Sequence, residues 1–286
     1  MAARFRRLAE RHLARGRLRP LVGSLRETVV AQELRCERFL DRLATRGSED
    51  QSLVPEVTAL IKTFERPAIV RRLVSSIQRL YPALRIIVVD DSRMPGVVEG
   101  TETIVMPYDS GIGAGRHEGL QRVETKYVLV LDDDYVFSRR TRLTDALALM
   151  ELLPEIDIMG GQLVDLPRYS RRSLEETAGS IFPTEAQART PIGSSLGGLR
   201  VCEKVPTFFI GRTERIALVS WDPTLKRIDH GDFFTRAHGV LTTTFNPGLQ
   251  CFHARTPFDD DYMAKRLDLA ESRKILEERY FGRAAS

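Results

Sequence analysis

From Val57 onward the chain alternates short aliphatic runs with segments of helical period, and this alternation restricts the fold more than any other feature. "VTALIK" is strand-like. In "PAIVRRLVSSIQRL" the residues Ile69, Leu73, Ile77 and Leu80 recur at helical spacing behind Pro67, a good helix starter, and "LRIIVVDD" follows as another buried strand. Runs that are apolar at nearly every position suit strands covered on both faces, which is the condition of a parallel sheet. A short strand around "TIVM", a helix from about Gly115 through Val123 and the strand "YVLVL" continue the beta-alpha alternation. The expected fold is α/β, with a mostly parallel, Rossmann-like central sheet flanked by helices.

After Asp134 the pattern predicts a helix in "TRLTDALALMELL", a strand in "IDIMGGQLV" and a long excursion over residues 165–200. Core-like sequence resumes at "VPTFFIGRTERI". A short helix in "HGDFFTRAHG", a strand and turn in "LTTTFNPG" and one closing helix in "DDDYMAKRLDLAESRKILEERYF" complete the reading. The compact domain is expected over residues 54–286, preceded by a helical extension over 1–50 that is broken near Gly16 and Pro20.

That extension carries 12 Arg against 7 Asp or Glu, so the net charge of +4 is concentrated there and the remainder is near neutral. It reads as a solvated helical face, with contact to an anionic membrane surface as the alternative. No zinc finger, aromatic RNA-binding signature or repeat accompanies it, so a nucleic-acid partner is not expected. No apolar run approaches the roughly 20 residues that span a bilayer, and the Arg-rich start is not a secretory signal. The expected location is cytoplasmic, with or without peripheral membrane contact. Cys36, Cys202 and Cys251 lack metal-ligand spacing and favour a reducing compartment, a Cys202–Cys251 bridge being the other reading.

Three aspartates, Asp132, Asp133 and Asp134, directly follow "YVLVL". If the extended backbone persists, Asp132 and Asp134 face one side and Asp133 the other. A divalent cation removes the repulsion and desolvation that two facing carboxylates incur, and oxygen ligands suit magnesium or manganese. The plainer reading is an acidic helix cap, for which one aspartate suffices. Asp90 and Asp91 end another strand, as ligands of a ribose or base, or as ordinary turn residues. In "DSGIGAGRHEGL" the glycines do not follow the dinucleotide pattern, which speaks against an oxidoreductase. They permit close backbone approach at a helix start, beside the permanent charge of Arg116. Asp232 suits either a helix N-cap or a general base, and His253, taken alone, is a structural histidine.

Taken in order, "KTFERP", "VVDDS", "GAGRHEGLQRVETKYVLVLDDD", "FFIGRTERI", "WDPTLKRIDHGDFF" and the late His253 resemble the GT-A nucleotide-sugar glycosyltransferases. The set is family 2-like and most similar to the ganglioside-type beta-1,4-N-acetylgalactosaminyltransferases. The resemblance runs from about Val57 to His253. It implies that Asp132 to Asp134 form a D-x-D motif, with Asp134 the direct metal ligand, Asp132 shared between metal and donor, and Asp133 at the donor. His253 would complete the metal shell. Thr63, Phe64, Glu65, Asp90 and Asp91 would border the nucleoside, Gly115 and Arg116 would lie beside the donor, and Asp232 would be the base.

Where the family often has Asn the chain has His117, where the ganglioside enzymes show "EFF" it has "GDFF", and residues 165–200 match weakly. The implied reaction is metal-dependent, inverting transfer of GalNAc or another hexose or hexosamine from a UDP-sugar to a hydroxyl of a glycan or glycolipid, with Mn2+ or Mg2+. A sugar nucleotidyltransferase and a noncatalytic subunit of the same fold are the other readings. For a truncated eukaryotic form the location would be the Golgi lumen.

Overall fold

The run "YVLVLD" is buried because it lies mid-sheet: β4 (Tyr127–Asp132) pairs in parallel with β1 (Val57–Thr63) and antiparallel with β10 (Phe209–Arg212). The computed structural model describes residues 19–43, 50–167, 170–171, 174 and 179–282, so Gly16 and residues 44–49 of the predicted extension lie outside the described residues. Beyond β1 the sheet continues in parallel through β2 (Arg85–Asp90) to β3 (Glu102–Val105). On the other side β10 pairs antiparallel with β6 (Ile158–Asp165), which pairs in parallel with β11 (Thr243–His253). β9 (Leu199–Val201) and β8 (Ser195–Leu196) close that edge, while β5 (Tyr135–Val136) and β7 (Ser170–Arg171) pair with β11 and β6.

Side-chain alternation along the buried strands builds two cores. Ala59, Ile61, Leu129 and Leu131 face one side, where α2 (Pro67–Leu80) and α4 (Leu143–Leu152) bring Leu73, Ile77, Leu147 and Met150. Leu60, Val128 and Val130 face the other, against Leu120 of α3 (Ile112–Leu120) and Phe233 and Phe234 of α6 (Asp229–Ala237). Each such side chain contributes about 1.5–3 kcal/mol of transfer free energy, so the alternating pattern fixes which strand faces which helix.

Two expectations need correction. "LTTTFNPG" does not end in a turn: β11 runs on to His253, and the Asn246–Gln250 stretch is a register shift within the strand. The closing helix is two, α7 (Asp260–Arg266) and α8 (Ala270–Tyr280), separated at Leu267–Leu269. The described part of the basic extension is α1 (Arg19–Leu43), which includes Pro20, and the break expected near Gly16 lies outside the described residues. The described part of that extension is docked. Val30 and Leu34 bury against Val136, Val164, Leu166 and Phe252, and Arg26 donates to the carbonyls of Leu166 (2.9 Å) and Arg255. A further helix, α5 (Thr213–Ala217), follows β10 directly. Cys202 and Cys251 are buried and unbridged. Among the described residues no helix is long and apolar enough to cross a membrane.

Candidate active site at the carboxyl edge of the sheet

β1, β4 and β11 deliver their carboxyl ends to one cavity of about 260 Å³, where open α/β sheets bind ligands. Its lining includes Thr63, Phe64, Asp91, Arg116, Asp132, Asp133, Asp134 and His253 from the predicted set. Cations surround these acids: Lys62, Arg66, Arg116, Arg227, Arg255 and Arg266 all line the same space. A cavity with this ring of positive charge suits a multiply charged anion.

The three aspartates do not keep extended geometry. β4 ends at Asp132 and the chain turns through Asp133 and Asp134 before β5, so the expected outward turn of Asp133 does not occur and all three line the cavity. Asp132 is the outermost, with its side chain 40% exposed, and accepts from Arg116 (2.7 Å) and Tyr135 (3.2 Å). Asp133 is sealed by Thr63, which donates at 2.8 Å, and by an ion pair with Arg66. Burial pushes the Asp133 carboxyl up to about 6, against the opposing pull of Arg66.

Asp134 is different. Its Oδ1 is buried without a hydrogen-bond partner and stands 3.4 Å from His253 Nε2. Burial works against its charge, but His253 and then Arg66 outweigh that and hold the carboxyl below its ordinary range. Burial likewise opposes protonation of His253, yet Asp134 and Asp165 raise its pKa. Asp165 lies 2.9 Å from His253 Nδ1 and fixes the ring, leaving Nε2 toward Asp134. An imidazole nitrogen and a buried carboxylate oxygen turned toward each other fit manganese or magnesium. The expected trio is not assembled: Asp132 is drawn to Arg116 and Tyr135, and among the described residues no group of three His, Cys, Asp or Glu is arranged to hold a metal.

Asp90, Glu65 and Gly115 support the site without lining it, whereas Asp91 and Arg116 line it. Asp90 accepts from the Ser92 amide (2.9 Å) and hydroxyl and so closes the turn after β2. Glu65, at a positive φ of 55°, accepts from the Arg93 amide (2.8 Å) and ties the β1 and β2 loops together. Asp91 accepts from Lys62 and from the Gly111 amide (2.8 Å). The glycines admit the protein's own chain: a Cβ at Gly113 would lie 2.2 Å from the Asp222 carbonyl oxygen, and one at Gly115 would lie 2.3 Å from Lys62 Cδ. Arg116 is thereby placed to bridge Asp132 and Asp229, at 2.7 and 2.6 Å.

Asp232 does not reach the cavity. It is 0% exposed in the first turn of α6, where Arg236 (2.8 Å), Arg279 (2.5 Å) and Tyr280 (2.7 Å) donate to its two oxygens. It ties α6 to α8, and as the catalytic base it is set aside because it has neither access nor a spare oxygen. Two residues earlier His230 lines the cavity beside Thr207, with its Nε2 buried and without a hydrogen-bond partner. Burial pushes its pKa well down, with Lys204 and Arg116 adding to the effect, so the ring is neutral.

The cavity cations Lys62 and Arg66, both within "KTFERP", received no role from sequence. Their spacing around a strand end was the available signal. Tyr262 and Arg266 gave none, since only the fold of α7 carries them to the site, where the Arg66 guanidinium lies 3.7 Å from the Tyr262 ring centre.

The model of glycosyl transferase family 2 matches residues 58–214, more than half of the chain. Beta-1,4 N-acetylgalactosaminyltransferase 2 of Mus musculus is 33% identical over 211 residues, covering 73% of the chain and 41% of the relative. Beta-1,4 N-acetylgalactosaminyltransferase 1 of Homo sapiens is 35% identical over 213 residues, covering 70% and 40%. The chain thus spans well under half the length of these relatives. Among solved structures, S. aureus TarS 1–349 in complex with UDP superposes with a TM-score of 0.52 at 16% identity, covering 73% of this chain and 62% of that one. GalNAc-T7 with UDP, GalNAc and Mn2+ gives a TM-score of 0.52 at 14% identity, with 70% and 44% covered. At these identities the superpositions speak for the GT-A fold alone.

Proposed function

The chain belongs to glycosyl transferase family 2, and from that premise we propose that it transfers a sugar, GalNAc or another hexose or hexosamine, from a UDP-sugar to a hydroxyl of a glycan or glycolipid with inversion. The observation that carries this reading is Asp134 Oδ1, buried without a hydrogen-bond partner and 3.4 Å from His253 Nε2, at a strand edge ringed by Lys62, Arg66, Arg116 and Arg266. Asp134 and His253 would hold a divalent cation, which supplies positive charge to the departing diphosphate. Arg116, fixed between Asp132 and Asp229, adds charge already oriented before substrate arrives. Thr63, Phe64 and Asp91 border the uridine, and Asp132, being partly exposed, turns toward the ribose and sugar.

The proton of the acceptor hydroxyl goes to His230 Nε2. Burial keeps that ring neutral and therefore able to accept it, and among the described residues the nitrogen has no hydrogen-bond partner. A single in-line displacement then needs no covalent enzyme intermediate. A thermal-shift screen of nucleotide-sugars with and without manganese tests the donor assignment. The correct donor raises the melting temperature in a metal-dependent way. No response to any UDP-sugar, or release of pyrophosphate in place of UDP on turnover, would overturn it.

A further inference from the structure

Helix α1 has a second apolar face that the described chain leaves uncovered. Its inner face, with Val30 and Leu34, is docked on the domain. On the opposite side Leu21, Leu25, Val29, Phe39, Leu40 and Leu43 are exposed by 38–68%. At about 100° per residue these six fall on one arc of about 100°, the width of a stripe that ordinarily faces a core. The stripe runs in two patches along the 25-residue helix, Leu21, Leu25 and Val29 and then Phe39, Leu40 and Leu43, with the exposed Gln32 and Cys36 between them, and marks a binding surface.

Packing also sorts the charges of this helix. Glu37 and Asp41 turn inward, toward Arg140 and Arg79, each at 3.5 Å. Arg35, Arg38 and Arg42 stay exposed along one flank of the stripe, with Glu27 the acid among them, and Glu33 stands half-buried on the other flank. The eighteen residues that precede the helix add six arginines and one glutamate. An apolar stripe with a basic flank matches an anionic bilayer, which offers acyl chains below and phosphates at the rim. A second copy of the chain would offer the same sign of charge. We infer that this face of α1 docks on an anionic lipid surface, with Leu25, Phe39 and Leu43 entering the acyl boundary and Arg35, Arg38 and Arg42 reaching the headgroup phosphates. Arg26 fastens α1 to the carbonyls of Leu166 and Arg255, beside Asp165 and His253, so the docked helix and the candidate active site share one edge of the sheet.

The test is sedimentation of the full chain with phosphatidylcholine vesicles, with and without phosphatidylglycerol. It reads binding directly and is independent of the catalytic assignment. The native chain sediments with the anionic vesicles and stays in solution with the neutral ones. The triple change Leu25→Gln, Phe39→Gln, Leu43→Gln weakens partitioning by about a hundredfold or more. The triple change Arg35→Gln, Arg38→Gln, Arg42→Gln weakens it by at least about tenfold. A tryptophan placed by Leu25→Trp in the otherwise native chain shifts its emission to the blue on addition of anionic vesicles. No sedimentation, an apolar triple variant that binds as well as the native chain, an unshifted Leu25→Trp emission, or a solution dimer dissolved by the apolar changes would each overturn the inference.

Discussion

Two buried carboxylates, Asp134 and Asp232, occupy opposite conditions although each stands near the start of a well-packed segment. Asp232 is saturated by its own chain: two arginines and a tyrosine donate to its oxygens, and none of them lines the cavity. Asp134 lies at the cavity wall, where its buried Oδ1 meets only His253 Nε2, at a long 3.4 Å. Removing a carboxylate from water is costly unless its oxygens are bonded, so a saturated acid reads as structure and an under-bonded one as a site awaiting a ligand. The pair of His230 and Asp232 repeats the contrast within a single turn of α6.

The sharpest test of that contrast is Asp134→Asn, which lowers kcat/KM by about a thousandfold and weakens manganese binding measured by calorimetry. An unaltered manganese titration would break the comparison. Asp232→Asn does the reverse. It costs about 3 kcal/mol or more in denaturant unfolding, because Arg236 and Arg279 lose their shared partner, while turnover per folded molecule stays within about fivefold. A loss of turnover as large as that of Asp134→Asn, with unchanged stability, would return Asp232 to the chemistry.

His230→Gln lowers kcat by about a hundredfold and leaves donor-induced thermal stabilisation intact. The smallest effect is on pH dependence. His230 must be neutral to accept a proton, and its pKa is depressed by burial, by Lys204 and by Arg116, so the acid limb of kcat/KM lies well below the ordinary histidine value of 6.5. Activity is then full above that limb and is lost as pH falls through it. Lys204→Met removes one of the depressing charges and moves the limb upward, by less than one pH unit by order of magnitude. An acid limb already at the ordinary histidine value in the native chain would show that His230 is not held neutral by its surroundings.

Much of the site was legible as strand ends. "YVLVLDDD" and "LRIIVVDD" announce acids at the carboxyl edge of a parallel sheet, and the structure puts Asp91 and all three of Asp132, Asp133 and Asp134 at the cavity. The orientation of Asp133 was misread because alternation holds only while the strand lasts, and β4 stops one residue too soon. The glycines of "DSGIGAGRHEGL" were correctly read as positions of close approach, but the approaching groups are Lys62, Asp222 and Lys226 of the same chain. The single closing helix was predicted because "DLA" interrupts neither charge nor period strongly, and the break at Leu267–Leu269 came only with packing.

By itself the sequence determined the alternation of strands and helices, the two-sided core, and the acids at the sheet edge. Each follows from local periodicity and from the cost of leaving aliphatic surface in water. Only the tertiary structure decided which acid is saturated with hydrogen bonds and which is not, which face of the basic helix is covered, and that His230 rather than Asp232 borders the cavity. Those distinctions depend on partners distant along the chain, Arg279 and Tyr280 for Asp232, Asp165 and Asp134 for His253, and Arg140 and Arg79 for the acids of α1. Spacing within a segment cannot report which of two neighbouring polar groups will meet such a partner, because that depends on how the sheet and helices pack.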